Sequence, residues 1–177
     1  MRILGRILLV LLGAVLLLGA LAYLFPREVT VERSIEIAAP PEEVFPHVNS
    51  LQRFAEWSPW QEMDADMQQS FSGPEQGVGN RMEWSSDNPS VGSGSQEITL
   101  SIPGQRVETA LDFGNMGTAR AWHVLEPARS GTEVTWGLLA DMGNWPVGRY
   151  MGLMMDRWVG ADYERGLARL KDRVEGG

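Results

Sequence analysis

The sequence predicts an α+β domain, one antiparallel sheet covered by a long final helix, with an apolar helix ahead of it. Three observations carry that expectation. The chain opens on a long uncharged run, its middle is a succession of short alternating segments, and its tail repeats apolar residues at steps of three and four. A sheet with one apolar face needs a partner element to bury it, and the tail is the long element available.

Composition narrows the function classes. A chain of 177 residues suits one domain with an appendage, and 44% hydrophobic with 21% charged residues is ordinary for a globular protein. The net charge is −8, and Arg2 and Arg6 stand ahead of the folded part, which is therefore more acidic still. Such a surface repels phosphate backbones, so nucleic acid is not expected as a partner. The absence of cysteine removes disulfides, thiolate metal sites and cysteine nucleophiles.

The first element is "MRILGRILLVLLGAVLLLGALAYLF". Ile7 to Phe25 carries no charge and, as a helix, spans roughly 28 Å, about the thickness of a bilayer's hydrocarbon core. Residues 1–26 therefore read as a transmembrane anchor and 27–177 as the folded domain. Arg2 and Arg6 keep the amino terminus in the cytoplasm, which puts the domain on the periplasmic or extracellular side of the inner or plasma membrane. A signal peptide cleaved after Ala22 is the competing reading, although the apolar run is longer than a usual signal core. Pro26 ends the helix, and strand alternation begins by Val29, so the domain is expected to sit close to the membrane.

"EVTVERSIEI" places Val29, Val31, Ile35 and Ile37 in one register, interrupted by Arg33. In "APPEEVFPHV" the double proline stops the strand and presets a short helix. Glu42 and Glu43 fall at the positive end of its dipole, which explains the acids without catalysis. "LQRFAEW" is a second short helix, with Ser50 as its expected cap. Strands follow at "MQQSF", "NRMEW", "SQEITLSI" (Ile98, Leu100 and Ile102 on one face) and "QRVETALDF" (Val107, Thr109, Leu111 and Phe113 on one face). "TARAWHVLEP" and "TEVTWGLLA" form a hairpin around "ARSG", in which the Trp122 and Val124 face is expected to match that of Val134, Trp136 and Leu138. The last helix starts at Pro146 and presents Met151, Met155, Val159, Tyr163, Leu167, Leu170 and Val174, widened by Met154 and Trp158. Its glycines, Gly148, Gly152, Gly160 and Gly166, are read as points of close helix-on-sheet packing in preference to hinges that admit a ligand.

In this order "SIEIAAPPEEVF", "LQRFAEWSPW", "LEPARSGTEVTW" and "DYERGLARLKDRVE" resemble the START-like, or SRPBCC, helix-grip superfamily. Within it they are closest in kind to the polyketide cyclase/dehydrase and lipid transport group. The resemblance covers about residues 28–175 and departs at Pro46, inside the first short helix, and at the membrane segment. It implies a helix-grip fold with a hydrophobic cavity between the sheet and the carboxy-terminal helix. It does not imply a reaction, since the fold hosts carriers, receptors and some cyclases and dehydratases.

Seven tryptophans and nine methionines supply broad, adaptable apolar surface. The expected cavity wall is Trp57, Trp84, Leu100, Leu111, Phe113, Arg120, Trp122, Trp136, Met151, Met154, Met155 and Trp158. His123 alternates with Trp122 and is expected to face away from it, so no catalytic residue is assigned, and no metal or cofactor. Asp112 is expected to point to water. The leading expectation is a membrane-anchored protein that binds a hydrophobic small molecule such as a lipid, quinone or aromatic. The alternatives are a cyclase- or dehydratase-like enzyme using Arg120, and a regulatory or scaffold module whose cavity is filled by its own side chains.

Overall fold

The computed structural model describes residues 2–176. Residues 1 and 177, the outer ends of the two predicted segments, lie outside the described residues. An apolar helix, α1 (Arg2–Ala22), leads into β1 (Glu28–Ile37). Three short helices follow, α2 (Pro41–Val48), α3 (Leu51–Trp57) and α4 (Pro59–Met63). Six more strands come next: β2 (Gln68–Ser72), β3 (Arg81–Ser85), β4 (Ser93–Ile102), β5 (Arg106–Asp112), β6 (Thr118–Ala128) and β7 (Gly131–Asp141). The chain ends in α5 (Pro146–Glu175). The strands form one antiparallel sheet in the order β1-β7-β6-β5-β4-β3-β2, with α5 against its inner face beside β1. This is the α+β helix-grip arrangement, preceded by one apolar helix.

Local chemistry sets the boundaries. Pro41 and Pro146 occupy first helical positions, where the missing amide hydrogen costs no bond. Pro46 does not break α2, which runs on to Val48. Ser50 does not cap α3; its hydroxyl donates to the Glu75 carbonyl instead. The cap comes from across the chain. Buried Asn80 accepts the Leu51 amide at 2.7 Å and donates to the Pro74 carbonyl at 2.7 Å, so one side chain fixes both α3 and the loop before β3. α4 was not expected from the sequence, although Ser58 followed by Pro59 is an ordinary helix start.

The core lies where α3, α4 and the second half of α5 meet β6 and β7. Trp136 stacks on Tyr163 with ring centroids 3.8 Å apart, and Phe54 and Trp57 meet Trp136 edge-on. The α5 glycines make this approach possible. A Cβ on Gly166 would stand 2.7 Å from the Trp136 ring, on Gly152 2.9 Å from Val29, and on Gly148 2.2 Å from the Met142 carbonyl. Close packing, as expected, accounts for them.

Candidate functional site

The sheet pairing decides which side chains share the inner face. The turn between β6 and β7 has two residues beyond the Ala128↔Gly131 pair, so His123 pairs with Trp136 and Trp122 with Gly137. The inner face of β6 is therefore Ala119, Ala121, His123 and Leu125, all buried. This corrects the expected facing: Trp122 and Arg120 lie on the outer face, and His123 points inward. The larger side chains of β6 happen to be on its outer side, which misleads a reading by hydrophobicity alone. Trp122 lies flat over Gly137 and donates from Nε1 to Glu32 Oε1 at 3.2 Å. Arg120 lines an outer-face trough of about 570 Å³ with Arg81, Glu97, Asp112 and Asp141. Asp112 is exposed, as expected.

Leu100 also leaves the inner face. A bulge between Ile98 and Leu100 breaks the alternation of β4, so Leu100 pairs with Glu108 on the outer side while Ile98 stays in the core. On α5, Met155 is half-buried against the core, but Met151, Met154 and Trp158 are exposed. Each step of four residues advances the helical face by about 40°, and that drift carries Met151 away from the side that Tyr163 and Leu167 bury. Trp57 and Trp136 are fully interior, and the Trp57 Nε1 donates to the His47 carbonyl at 3.1 Å. The expected wall thus separates into inner-face residues (Trp84, Leu111, Phe113, Met155), core (Trp57, Trp136) and residues pointing elsewhere.

The inner face is not sealed evenly. Along β6 exposure declines from 7% at Ala119 to 3% at Leu125, along β7 from 6% at Ala140 to 0% at Val134, and along β5 from half-buried Leu111 to 0% at Val107. Apart from half-buried Leu111 these residues are all buried, and the little exposure that remains increases toward the end where β6 starts and β7 stops. There the floor consists of small residues, Ala119, Ala121 and Ala140, with Thr109 and Gln96 beside them. Trp84 and Phe113 meet edge-on at 5.8 Å and rise from the β3–β5 side, while Met142 and Met155 border the other. Small residues between large aromatic and thioether side chains, with the Gln96 carboxamide and the Thr109 hydroxyl beside them, make this the part of the inner face with the least side-chain bulk. Sequence reasoning did not single out Ala119, Ala121, Ala140 and Gln96, because it searched for bulk.

This is also the end of the sheet where α1 joins and α5 begins. Arg27, just after α1, donates from Nε to Asp141 Oδ1 at 2.7 Å and accepts the Met142 amide on its carbonyl at 2.8 Å. That guanidinium and the Gly143 amide hold the Asp141 carboxyl down at about 2. The titratable groups on the core side are different in kind. Burial lowers the His123 imidazole to about 3, and neither of its ring nitrogens has a hydrogen-bond partner among the described residues. Burial also raises the Tyr163 phenol. Both are neutral near pH 7.

The family model for polyketide cyclase/dehydrase and lipid transport matches residues 28–175. The chain belongs to that family. The match begins at the first residue of β1 and ends with α5, so α1 lies outside it. No curated protein matches the chain. Among solved structures, KanY superposes with a TM-score of 0.63 at 15% identity, covering 84% of this chain and 98% of that one. The di-domain aromatase/cyclase StfQ of the steffimycin pathway gives 0.62 at 12% identity, over 84% of this chain and 51% of that one. The Aha1 dimer from Colwellia psychrerythraea gives 0.54 at 22% identity, over 83% and 96%. At these identities the likeness is one of fold.

Proposed function

We propose that this family member is a membrane-anchored protein that binds a hydrophobic small molecule, such as a lipid, quinone or aromatic, in a crevice over the small inner-face residues Ala119, Ala121 and Ala140. The observation that carries the reading is a coincidence of position. The end of the inner face that carries the small residues Ala119 and Ala140 is the end from which the apolar helix α1 departs. With α1 in a bilayer, the crevice mouth is close to the membrane surface, and an apolar ligand has a short path through water. Arg2 and Arg6 ahead of the apolar run favour a cytoplasmic amino terminus, with the domain on the opposite side.

An enzyme of the cyclase type would need an acid or base facing its substrate. Arg120, the group that reading relied on, is on the outer face, and His123 is held neutral inside the aromatic core. Binding is therefore the reading favoured here.

The test is native mass spectrometry of the protein extracted from membranes, paired with displacement of an apolar fluorescent dye. A mass equal to the full chain plus a bound apolar species, and dye binding abolished by Ala119→Leu, are the expected results. A protein starting at Tyr23 sinks the anchor. Reproducibly empty protein with no dye binding sinks the ligand.

A further inference from the structure

We infer that the first half of α5 is an interfacial helix, lying on the surface of the same membrane that α1 enters. The inference rests on the anchor reading and is separate from ligand binding.

Val147, Met151, Met154 and Trp158 recur at i, i+4, i+7 and i+11, so they form one stripe along the helix. All four are exposed, from 37% at Met154 to 64% at Val147, and Trp145 just before the helix is 78% exposed. The stripe runs along one flank of α5, roughly a third of a turn from the packed side that Gly152, Met155, Val159 and Tyr163 occupy. Its length is roughly 16 Å by helical rise. Beyond Trp158 the same line reaches Arg165, paired with Asp162, and the apolar character stops. Exposed apolar surface is therefore confined to the half of α5 nearest α1.

What covers this stripe follows from its tether. The Tyr150 hydroxyl donates to the Leu18 carbonyl at 2.8 Å, a position inside the apolar helix and short of its end. Arg149 donates to the Phe25 carbonyl at 2.7 Å, Phe25 and Tyr150 meet edge-on at 5.3 Å, and the Tyr23 hydroxyl reaches the Asn144 carbonyl at 3.3 Å. The start of α5 is thus fixed at the level of the last turns of α1. With α1 across a bilayer, that level is the boundary between hydrocarbon and headgroups, where tryptophan and tyrosine concentrate. An apolar stripe at that depth lies in the headgroup and acyl boundary, with Trp145 and Trp158 as anchors.

The absence of native cysteine makes the test direct. Single spin labels are placed by Met151→Cys, Met154→Cys and Ala168→Cys, with Leu11→Cys as the mid-span control, in full-length protein in lipid nanodiscs. Relative accessibility to oxygen and to a water-soluble nickel chelate is then measured. The expected oxygen-to-nickel ratio at 151 and 154 is several-fold above that at 168 and approaches that at 11. Labels at 151 and 154 as open to nickel as 168, with 11 in lipid, overturn the inference and leave the anchor standing. Shielding of 151 and 154 from both reagents means that protein covers the stripe and likewise overturns it. A mid-span label open to water overturns the anchor reading and this inference together.

Discussion

The guanidinium of Arg33 lies across the backbone of Gly160, so near that a Cβ at that glycine would stand 2.1 Å from Nη2. Arg33 is the one break in the apolar alternation of β1, and its pairing explains the break. Its Nε donates to Glu164 at 2.7 Å, its Nη1 to the Asp156 carboxylate at 2.9 Å, and its Nη2 to the Asp156 carbonyl at 3.1 Å. Hydrogen bonding to those carboxylates raises the guanidinium's pKa, and Arg33 in turn lowers that of Asp156. An inward arginine on a core strand is thus a clamp on α5, and the glycine is the gap it needs.

A substitution at Gly160 should therefore change sign with its partner. Alanine in a helix is ordinarily favoured over glycine by about 1 kcal/mol. Here it displaces a guanidinium held by four hydrogen bonds, three of them to α5, and the expected net effect of Gly160→Ala is a loss of about 1–2 kcal/mol. In an Arg33→Ala background the same change should stabilise. Denaturant unfolding of the four proteins in detergent measures the cycle. If Gly160→Ala stabilises the protein while Arg33 is present, the clamp is wrong.

His123 makes stability depend on pH in a stated direction. Its folded pKa of about 3 is below the ordinary value of 6.5, because burial among Phe54, Trp57 and Trp136 penalises the charged ring. Between those values the unfolded chain binds a proton that the folded chain does not, so stability falls as pH drops below about 6.5. The slope approaches about 1.4 kcal/mol per pH unit until the folded group itself titrates. His123→Leu should flatten the dependence between pH 4 and about pH 6. The residual slope of the same sign belongs to His47, also lowered by burial and by Arg53 and Arg173. Toward pH 4 it belongs also to the carboxyls of Asp141, Glu36 and Asp156, which hydrogen bonding holds below their ordinary values. An unchanged profile in His123→Leu would mean that the imidazole is not buried as neutral.

Asn80 supplies the third test. It replaces the expected Ser50 cap, and its carboxamide bridges the Leu51 amide and the Pro74 carbonyl from a buried position. Asn80→Ala leaves both groups unpaired and should cost about 1–3 kcal/mol in thermal or denaturant unfolding. Ser50→Ala should cost clearly less. Equal costs would return the cap to Ser50.

How far the sequence could be read depends on what kind of signal each feature leaves. Strong periodicity and proline punctuation placed β1 and α5 correctly at Glu28 and Pro146. The facing of β6 differs from the expectation because its inner side chains include two alanines and a histidine, and its outer ones include Trp122. Bulk and burial point in opposite directions there, and only the two-residue turn fixes the register. Leu100 was misplaced by a bulge that no residue in "EITLS" announces. Asn80 is a long-range cap, which local sequence cannot express. Of the inner face, Trp84, Leu111 and Phe113 were legible, whereas Ala119, Ala121 and Ala140 were not, since small residues leave little hydrophobic signal.

Two tryptophan–glycine pairs separate the faces of the sheet and give the last test. Trp84 is opposite Gly94 across β3 and β4 on the inner face, and Trp122 is opposite Gly137 across β6 and β7 on the outer face. In each pair the indole covers the glycine: an added Cβ would stand 2.7 Å from Trp84 Cζ2 at Gly94 and 2.1 Å from Trp122 Cε2 at Gly137. Covering a strand glycine with a cross-strand aromatic restores the packing that glycine lacks. Gly94→Ala and Gly137→Ala should each displace an indole and destabilise the fold by about 1–3 kcal/mol. Their effects on apolar dye binding should diverge. Gly94→Ala moves Trp84, a wall of the proposed crevice, and also presses on the Asp112 carbonyl, which the added Cβ would meet at 2.6 Å, so it should weaken dye binding severalfold. Gly137→Ala moves a ring on the far side of the sheet and should leave binding unchanged in protein confirmed as folded. The opposite pattern would put the ligand on the outer face, in the trough that holds Arg120.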